Sequence, residues 1–103
     1  MEQQYERNGN TLRCLMPKEL DQHVAKLLCE EIDIQIENYG IKELIFDFSK
    51  TEFMDSSGIG VLIGRSKTMQ YHEGVVYACG FNQRVKRMFE AAGLGRIIHM
   101  KED

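Results

Sequence analysis

The 103-residue chain contains no tryptophan, one proline and only three cysteines. The single proline and the absence of any low-complexity run argue against a flexible linker, and a chain of this length buries one hydrophobic core rather than two. We therefore predict one domain spanning residues 1–103. The cysteines Cys14, Cys29 and Cys79 are odd in number and form no C-x-x-C pair. We interpret them as reduced core thiols of a cytoplasmic protein.

The chain also lacks an excess of positive charge and a long hydrophobic segment. Its formal net charge of -3 gives no broad attraction for nucleic acid or for anionic membranes. No run approaches the roughly 20 apolar residues that cross a bilayer, and the polar start has no secretory signal. Arg84, Lys86 and Arg87, with Arg65 and Lys67 on the preceding helix, predict basic outer faces without interleaved aromatic residues. We therefore predict no direct nucleic-acid partner and no membrane partner.

Strand and helix patterns alternate along the whole chain. QQYERNGNTLRCL predicts two strands around a turn, KELIFDF and VVYAC predict buried strands, and GRIIHM predicts a last short strand. The helix boundaries predicted from capping residues are Asp21 to Gly40, about Ser56 to His72, and Asn82 to Gly93. This order predicts an α/β fold with a mixed, mainly parallel sheet, an N-terminal hairpin and helices packed against the sheet.

Apolar residues recur at spacings of three and four in each predicted helix, which indicates one inward face per helix. The predicted inward residues are Leu20, Val24, Leu27, Leu28, Ile32, Ile36 and Tyr39 in the first helix, Ile59, Leu62, Ile63 and Met69 in the second, and Val85, Met88, Phe89 and Ala92 in the third. Gly60 and Gly64 lie one turn apart in the second helix. We expect them to let that helix lie close to the sheet.

The step Asp-Ser-Ser-Gly, residues 55–58, stands between the apolar pair Phe53-Met54 and the second helix. A serine there can act as the N-cap of the helix, which accounts for one of Ser56 and Ser57 but not for both, nor for Asp55. The functional alternative is that a hydroxyl is modified. A phosphate adds about -1.5 to -2 charges, which a helix N-terminus tolerates, whereas a protein interface without matched donors does not.

Other chemistries find less support in the sequence. The spacing G-x-G-x-x-x-G from Gly58 departs from dinucleotide and P-loop patterns, so a nucleotide-binding module using the Gly58-Gly60 loop stays an alternative only. Asp47 and Asp55 provide too few oxygen ligands for a hard cation, and we expect Asp47 to accept hydrogen bonds from backbone N–H groups of its loop. Neither serine of this step lies in the sequence G-x-S-x-G, which surrounds the nucleophilic serine of many hydrolases. We predict no metal, no cofactor and no enzymatic activity.

Three blocks, ELDQHVAKLL, FMDSSGIGVLIGRSK and RVKRMFEAAGLGRII, together resemble the STAS-domain anti-sigma factor antagonists. The resemblance implies a single STAS-like domain whose unphosphorylated form binds an anti-sigma factor serine kinase and so releases the sigma factor. It implies that phosphorylation on Ser56 abolishes this binding and that a serine phosphatase resets the switch. It further implies a partner-binding surface formed by Asp21, Asp55, Ser56, Ser57 and Gly58.

Two departures from the family pattern accompany this resemblance. Lys18 stands where the family usually has a glycine before E-L-D, and the sequence stops soon after the predicted last strand, where many members carry a further helix. We expect a monomer or weak dimer. A STAS scaffold subunit of a sensory or transport complex stays open as an alternative function.

Overall fold

The computed structural model describes residues 4–101. The elements in this range are β1 (Gln4–Asn8), β2 (Thr11–Leu15), β3 (Glu19–Leu20), α1 (Gln22–Tyr39), β4 (Glu43–Asp47), β5 (Phe53–Met54), α2 (Ser56–Tyr71), β6 (Val75–Cys79), α3 (Gln83–Ala91), a 3-10 helix (Leu94–Arg96) and β7 (His99–Met100). The predicted α/β fold with its N-terminal hairpin is confirmed.

The main sheet has five strands in the order β1-β2-β4-β6-β7. β1 and β2 pair antiparallel, and their tight turn includes Gly9 at a φ of 62°. The pairs β2–β4, β4–β6 and β6–β7 are parallel. Parallel neighbours need long crossover connections, which α1 supplies between β2 and β4 and α2 supplies between β4 and β6. The sheet is therefore mixed and mainly parallel, as the sequence predicts.

The core lies where alternate strand residues meet the helices. Leu12, Leu44 and Phe46 on neighbouring strands are fully buried, because successive strand residues point to opposite faces and these share one face. They belong to one apolar cluster with Ile32 of α1 and Leu62 of α2. Burying such side chains contributes roughly 1.5–3 kcal/mol each relative to exposure. This core fixes the positions of the helix N-termini described below.

The inward face of α1 differs from the prediction at two residues. Leu27 and Tyr39 are about half exposed, at 48% and 50%. The buried ridge repeats at four-residue intervals, Leu28-Ile32-Ile36, so residues one position before it point outward. The Tyr39 ring is instead covered by the Arg7 guanidinium, which lies 4.1 Å from its centroid. Spacing alone therefore gave too broad a stripe.

The C-terminal part of the described chain also departs from the prediction. Ala92 is exposed rather than inward, because α3 ends at Ala91 and Ala92 is its C-cap. Gly93, at a φ of 73°, then turns the chain into the 3-10 helix, whose Leu94 takes the buried place. The predicted strand GRIIHM is consequently reduced to the two residues of β7. In α2, Ile59 and Ile63 are half-buried as part of the predicted stripe, and the buried Val61 was not predicted.

Candidate functional site

A second, two-stranded parallel sheet brings two helix N-termini side by side. Its strands β3 and β5 pair Leu20 with Met54, and the Asp55 N–H donates to the Leu20 carbonyl at 3.2 Å. Each short strand is followed directly by an aspartate and a helix, so Asp21 and Asp55 occupy equivalent neighbouring positions. The sequence shows this as Glu-Leu-Asp and Phe-Met-Asp before two helices, but the strands are too short to predict from periodicity.

Both aspartates cap their helices. Asp21 accepts from the N–H of His23 at 2.9 Å, as predicted. Asp55 accepts hydrogen bonds from the N–H groups of Ser57 at 2.8 Å and Gly58 at 3.4 Å. The carboxylate thus satisfies donors that have no partner within the helix. Asp55, and not a serine, therefore caps α2. The carboxylate in this position also faces the positive end of the helix, which favours a negative charge there.

Because Asp55 caps α2, the Ser56 side chain is not needed for capping. Ser56 is the first residue of α2 and is exposed, whereas Ser57 is half-buried. Within residues 4–101, the Ser56 hydroxyl makes no hydrogen bond to another protein group. It therefore lies on the surface at a helix N-terminus, between solvent and the paired Asp21 and Asp55 caps.

Gly58 is the glycine of α2 that approaches its neighbours closely. A Cβ added at Gly58 would lie 2.6 Å from Met54 Cγ, 2.8 Å from Leu20 Cγ and 2.9 Å from the Leu20 carbonyl oxygen. The same construction at Gly60 or Gly64 meets nothing within 4 Å. The expectation that Gly60 and Gly64 permit close packing is therefore wrong. Gly58 is buried, so its role in the site is to let α2 start against the β3–β5 pair.

The loop before α2 is held by two other segments of the chain, residues 17–18 before β3 and the N-cap residue of α3. The Thr51 hydroxyl donates to the Pro17 carbonyl at 2.9 Å, and the Asn82 amide donates to the Thr51 carbonyl at 3.0 Å. The Lys18 carbonyl accepts from the backbone N–H groups of Glu52 at 2.8 Å and Phe53 at 3.2 Å. Lys18, which stands at the family's usual glycine position, thus contributes its backbone to this loop while its side chain is exposed.

Phe53 is a surface residue of the site that the sequence analysis did not single out for function. It lies in β5, two positions before the Asp55 cap, and is 43% exposed. Aromatic side chains on a protein surface next to polar groups are typical anchors of protein interfaces. In β5 the Met54 side chain is buried and the neighbouring Phe53 side chain points outward, which a two-residue strand does not reveal in the sequence.

Asp47 supports the neighbouring loop and is not part of a cation site among the described residues. It accepts from the Ser49 N–H at 2.9 Å, which confirms the predicted loop-capping role, and from Arg13 Nη2 at 2.8 Å. Burial acts to raise the pKa of this carboxyl, but the hydrogen bonds from Ser49 and the Arg13 guanidinium outweigh it and hold the pKa below its usual range. Residues 4–101 contain no cluster of three or more side chains arranged to ligate a metal.

The predicted basic surface is smaller than the sequence suggests. Arg65 has a side chain only 11% exposed, and its Nε lies 2.8 Å from Asp33 Oδ1 of α1. It therefore joins the two helices instead of forming an outer basic face, which is a correction to the prediction. Arg84, Lys86 and Arg87 are exposed on α3, as expected.

The cysteines partly match their predicted place in the core. Cys14 and Cys79 are buried, and burial raises the pKa of the Cys14 thiol well above its ordinary value, so this thiol stays protonated. Cys29 on α1 is only half-buried.

None of the helices in residues 4–101 is both long and apolar enough to cross a bilayer.

The family model that describes the STAS domain matches residues 3–103. The chain belongs to the STAS domain family. This STAS domain is 31% identical over 80 residues to the anti-sigma F factor antagonist of Paenibacillus polymyxa, covering 78% of this chain and 68% of the relative. The sequence resemblance to this family is therefore confirmed.

Solved structures of STAS-domain antagonists have the same fold. The unphosphorylated form of the anti-sigma factor antagonist SpoIIAA aligns with a TM-score of 0.87 at 26% identity, over 97% of this chain and 88% of that chain. The Bacillus cell fate determinant SpoIIAA in its phosphorylated form aligns with a TM-score of 0.78 at 25% identity, over 97% of this chain and 91% of that chain. A fold of this kind is thus known in a phosphorylated and an unphosphorylated state.

Proposed function

We propose that this STAS domain is an anti-sigma factor antagonist, and that its unphosphorylated form binds an anti-sigma factor serine kinase and so releases the sigma factor. Phosphorylation of Ser56 by that kinase ends the binding, and a serine phosphatase restores it. The partner-binding surface consists of Asp21, Asp55, Ser56 and Ser57, with Gly58 setting the position of α2 beneath it. The class of protein is supported by the names of the similar antagonists.

The observation that carries the proposal is the position of the Ser56 hydroxyl. It is exposed at the first residue of α2 and is not used for capping, since Asp55 already accepts from Ser57 and Gly58. A kinase can reach such a group without unfolding the domain. The adjacent Asp21 cap, brought there by the β3–β5 pairing, extends the same surface onto α1.

Electrostatics explain why a phosphate here would act on the complex and not on the fold. A phosphate on Ser56 adds about -1.5 to -2 charges at pH 7. The helix N-terminus favours that charge by roughly 0.3–2 kcal/mol, while the nearby Asp55 carboxylate opposes it in high-dielectric surroundings. The two effects are of similar size, so the domain stays folded.

The same phosphate is far less acceptable in an interface. A dianion buried against a partner without matched donors costs about 2–5 kcal/mol, which corresponds to a loss of affinity of roughly thirtyfold to several thousandfold. Because the carboxylates of Asp21 and Asp55 flank Ser56, the phosphorylated surface would carry several negative charges close together. We expect this concentration of charge to expel the kinase.

The nucleotide-binding alternative is disfavoured by the local hydrogen bonds. The Ser57 and Gly58 N–H groups, which would have to cradle a phosphate, already donate to Asp55. Gly58 is also packed against Leu20 and Met54, which leaves no open turn at that point. A bound nucleotide would have to displace the Asp55 carboxylate, so we expect calorimetric titration with ATP or GTP to show no heat.

Phosphorylation is tested by incubating the full chain with its cognate anti-sigma factor serine kinase and ATP, then measuring intact mass. We expect a gain of one phosphoryl group in the wild type and in Ser57→Ala, and no gain in Ser56→Ala. Ser57→Ala is the matched control because it removes the neighbouring hydroxyl of the same step. A phosphoryl group that persists in Ser56→Ala would refute the assignment.

The partner is tested by retention from a cell lysate on immobilised wild type, Ser56→Asp and Ser57→Asp. We expect the wild type to retain a serine kinase and Ser56→Asp to lose it. Retention of a sensory protein or a permease subunit instead, unaffected by Ser56→Asp, would favour the scaffold alternative. Equal retention of a kinase by all three proteins would reject charge at Ser56 as the switch.

A further inference from the structure

An open cleft lies far from Ser56, between the second half of α2, the start of β6 and the 3-10 helix. Its volume is about 350 Å³, and its lining includes Ser66, Lys67, Gln70, Val75, Arg96 and His99. Ser66 follows Ser56 by ten positions on α2, which separates the two serines by about 15 Å along the helix axis. The cleft is therefore distinct from the proposed kinase-binding surface.

The charged side chains that line the cleft within the described part of the chain are both cationic. Lys67 and Arg96 line it, and neither forms an ion pair with any residue in the described range 4–101. His99 adds an imidazole, whose ring packs against Tyr77 with centroids 5.6 Å apart. Among residues 4–101 no Asp or Glu lines the cleft, although the whole chain carries a net charge of -3. Within that described range, an anion in this cleft would thus meet two positive charges and no lining carboxylate.

Ser66 gives an independent indication that a polar ligand belongs here. Its side chain is buried, at 7% exposure, yet its Oγ has no hydrogen-bond partner among residues 4–101. Buried hydroxyl groups are normally hydrogen-bonded, since leaving one unpaired is unfavourable. Ser66 lines the cleft with its Oγ closed off from solvent, so an acceptor atom of a ligand would satisfy this hydroxyl after a small side-chain movement that uncovers it.

Part of the remaining wall of the cleft is apolar. Val75, Val76 and Ile97 contribute to the lining, and Val75 and Ile97 are 38% and 46% exposed. Such side chains favour a ligand that also carries an apolar part, because burying both surfaces removes them from water. The volume lies near the lower end of the roughly 300–1,000 Å³ typical of small-molecule sites.

The geometry points to a binding site for a small carboxylate with a short apolar chain. The carboxylate contacts Arg96 and Lys67 and accepts a hydrogen bond from the Ser66 hydroxyl, while the chain packs on Val75 and Ile97. This assignment does not depend on the proposed role of Ser56, since the two sites lie at different positions along α2.

The test is an NMR titration of the isotopically labelled full chain with octanoate and, separately, with inorganic phosphate. We expect octanoate to shift the amide signals of residues 66–70, 74–76 and 96–99, and to leave those of residues 53–58 unchanged. Phosphate, which lacks the apolar part, should bind at least tenfold more weakly. Phosphate binding as tightly as octanoate would overturn the apolar half of the assignment.

Substitutions test the role of the two cationic side chains in the proposed site. Lys67→Gln combined with Arg96→Gln should weaken octanoate binding at least tenfold, a change of about 1.4 kcal/mol. The matched control, Arg84→Gln combined with Lys86→Gln, removes the same charge from α3 and should leave the affinity unchanged. Equal weakening by both pairs would show a general charge effect and overturn the site. The absence of amide shifts in the wild type up to about 10 mM octanoate would also overturn it, since specific sites bind more tightly than this.

Discussion

Gly58 is the residue whose substitution tests most directly how the site is built. In Gly58→Ala, the new methyl group would meet the side chains of Met54 and Leu20 and also the Leu20 backbone oxygen, at 2.9 Å. Side-chain ends can rotate away, but the carbonyl of β3 is held by the pairing between β3 and β5. The start of α2 must therefore move away from the short sheet.

The expected size follows from two opposing effects. Overpacking of this kind destabilises by about 1–3 kcal/mol, whereas replacing glycine by alanine in a helix stabilises by at most about 1 kcal/mol. The net loss for Gly58→Ala is therefore about 0–2.5 kcal/mol, and this variant should be about 1–3 kcal/mol less stable than one with the helical gain alone. Gly60→Ala has the helical gain without the clash, since nothing lies within 4 Å of its added Cβ. It should stabilise by about 0.5–1 kcal/mol.

The assay is urea unfolding of the wild type and both variants, followed by circular dichroism. A shift of the midpoint with an unchanged m-value reports a change in the free energy of unfolding. In thermal unfolding, a loss of 1 kcal/mol should lower Tm by about 4–8 °C for a domain of this size. We expect the order of stability Gly60→Ala, wild type, Gly58→Ala. If Gly58→Ala proves as stable as Gly60→Ala, the close approach of α2 to the β3–β5 pair is wrong, and with it the description of the site.

Three further predictions concern other parts of the molecule. In calorimetric titration, Phe53→Ala should weaken binding of the serine kinase about five- to thirtyfold, or by about 1–2 kcal/mol. Tyr71, at the far end of α2, is 85% exposed, and Tyr71→Ala should leave the binding unchanged. Equal effects of the two substitutions would count against Phe53 as an anchor. Asp47 has a lowered pKa in the fold, so its contribution to the unfolding free energy is present above the unfolded pKa of about 3.9 and is lost as pH falls through the folded value. As pH falls below 5, the urea midpoint of Asp47→Asn should therefore decrease less than the midpoint of the wild type. Equal decreases in the two proteins would contradict this. Asp55→Ala should destabilise by about 1 kcal/mol in the same assay and Asp55→Asn by less, because Asn retains a capping oxygen; an unchanged midpoint for Asp55→Ala would show that the cap does not matter.

The pairing of β3 with β5 is the feature that turns separate sequence motifs into one surface. Asp21 and Asp55 are 34 positions apart in the sequence, yet the register of Leu20 with Met54 places them at neighbouring helix N-termini. Two-residue strands carry no measurable periodicity, so their partnership could not be predicted from the sequence. The resemblance to the antagonist family implied that both aspartates share a surface, and the pairing supplies the physical reason.

Local chemistry was predicted well where a single residue type decides it. Asp21 and Asn82 were predicted as N-caps, Gly40 was predicted as a left-handed helix end, and the structure confirms each. The sequence left the cap of α2 open, with a serine as one possibility, because aspartate and serine are both good N-caps and stand next to each other. Which one takes the role depends on where α2 starts, and the packing of Gly58 against Leu20 sets that point.

The sequence by itself determined the α/β fold, the order of its elements, the family and the prominence of Ser56, because these depend on periodicity, capping residues and short motifs. Tertiary structure decided which glycine permits close packing, that Asp55 rather than a serine caps α2, that Phe53 faces outward beside the site, and that Arg65 pairs with Asp33. The physical reason is that each of these depends on atoms distant in the sequence. Such contacts exist only once the sheet and helices have packed around their common core.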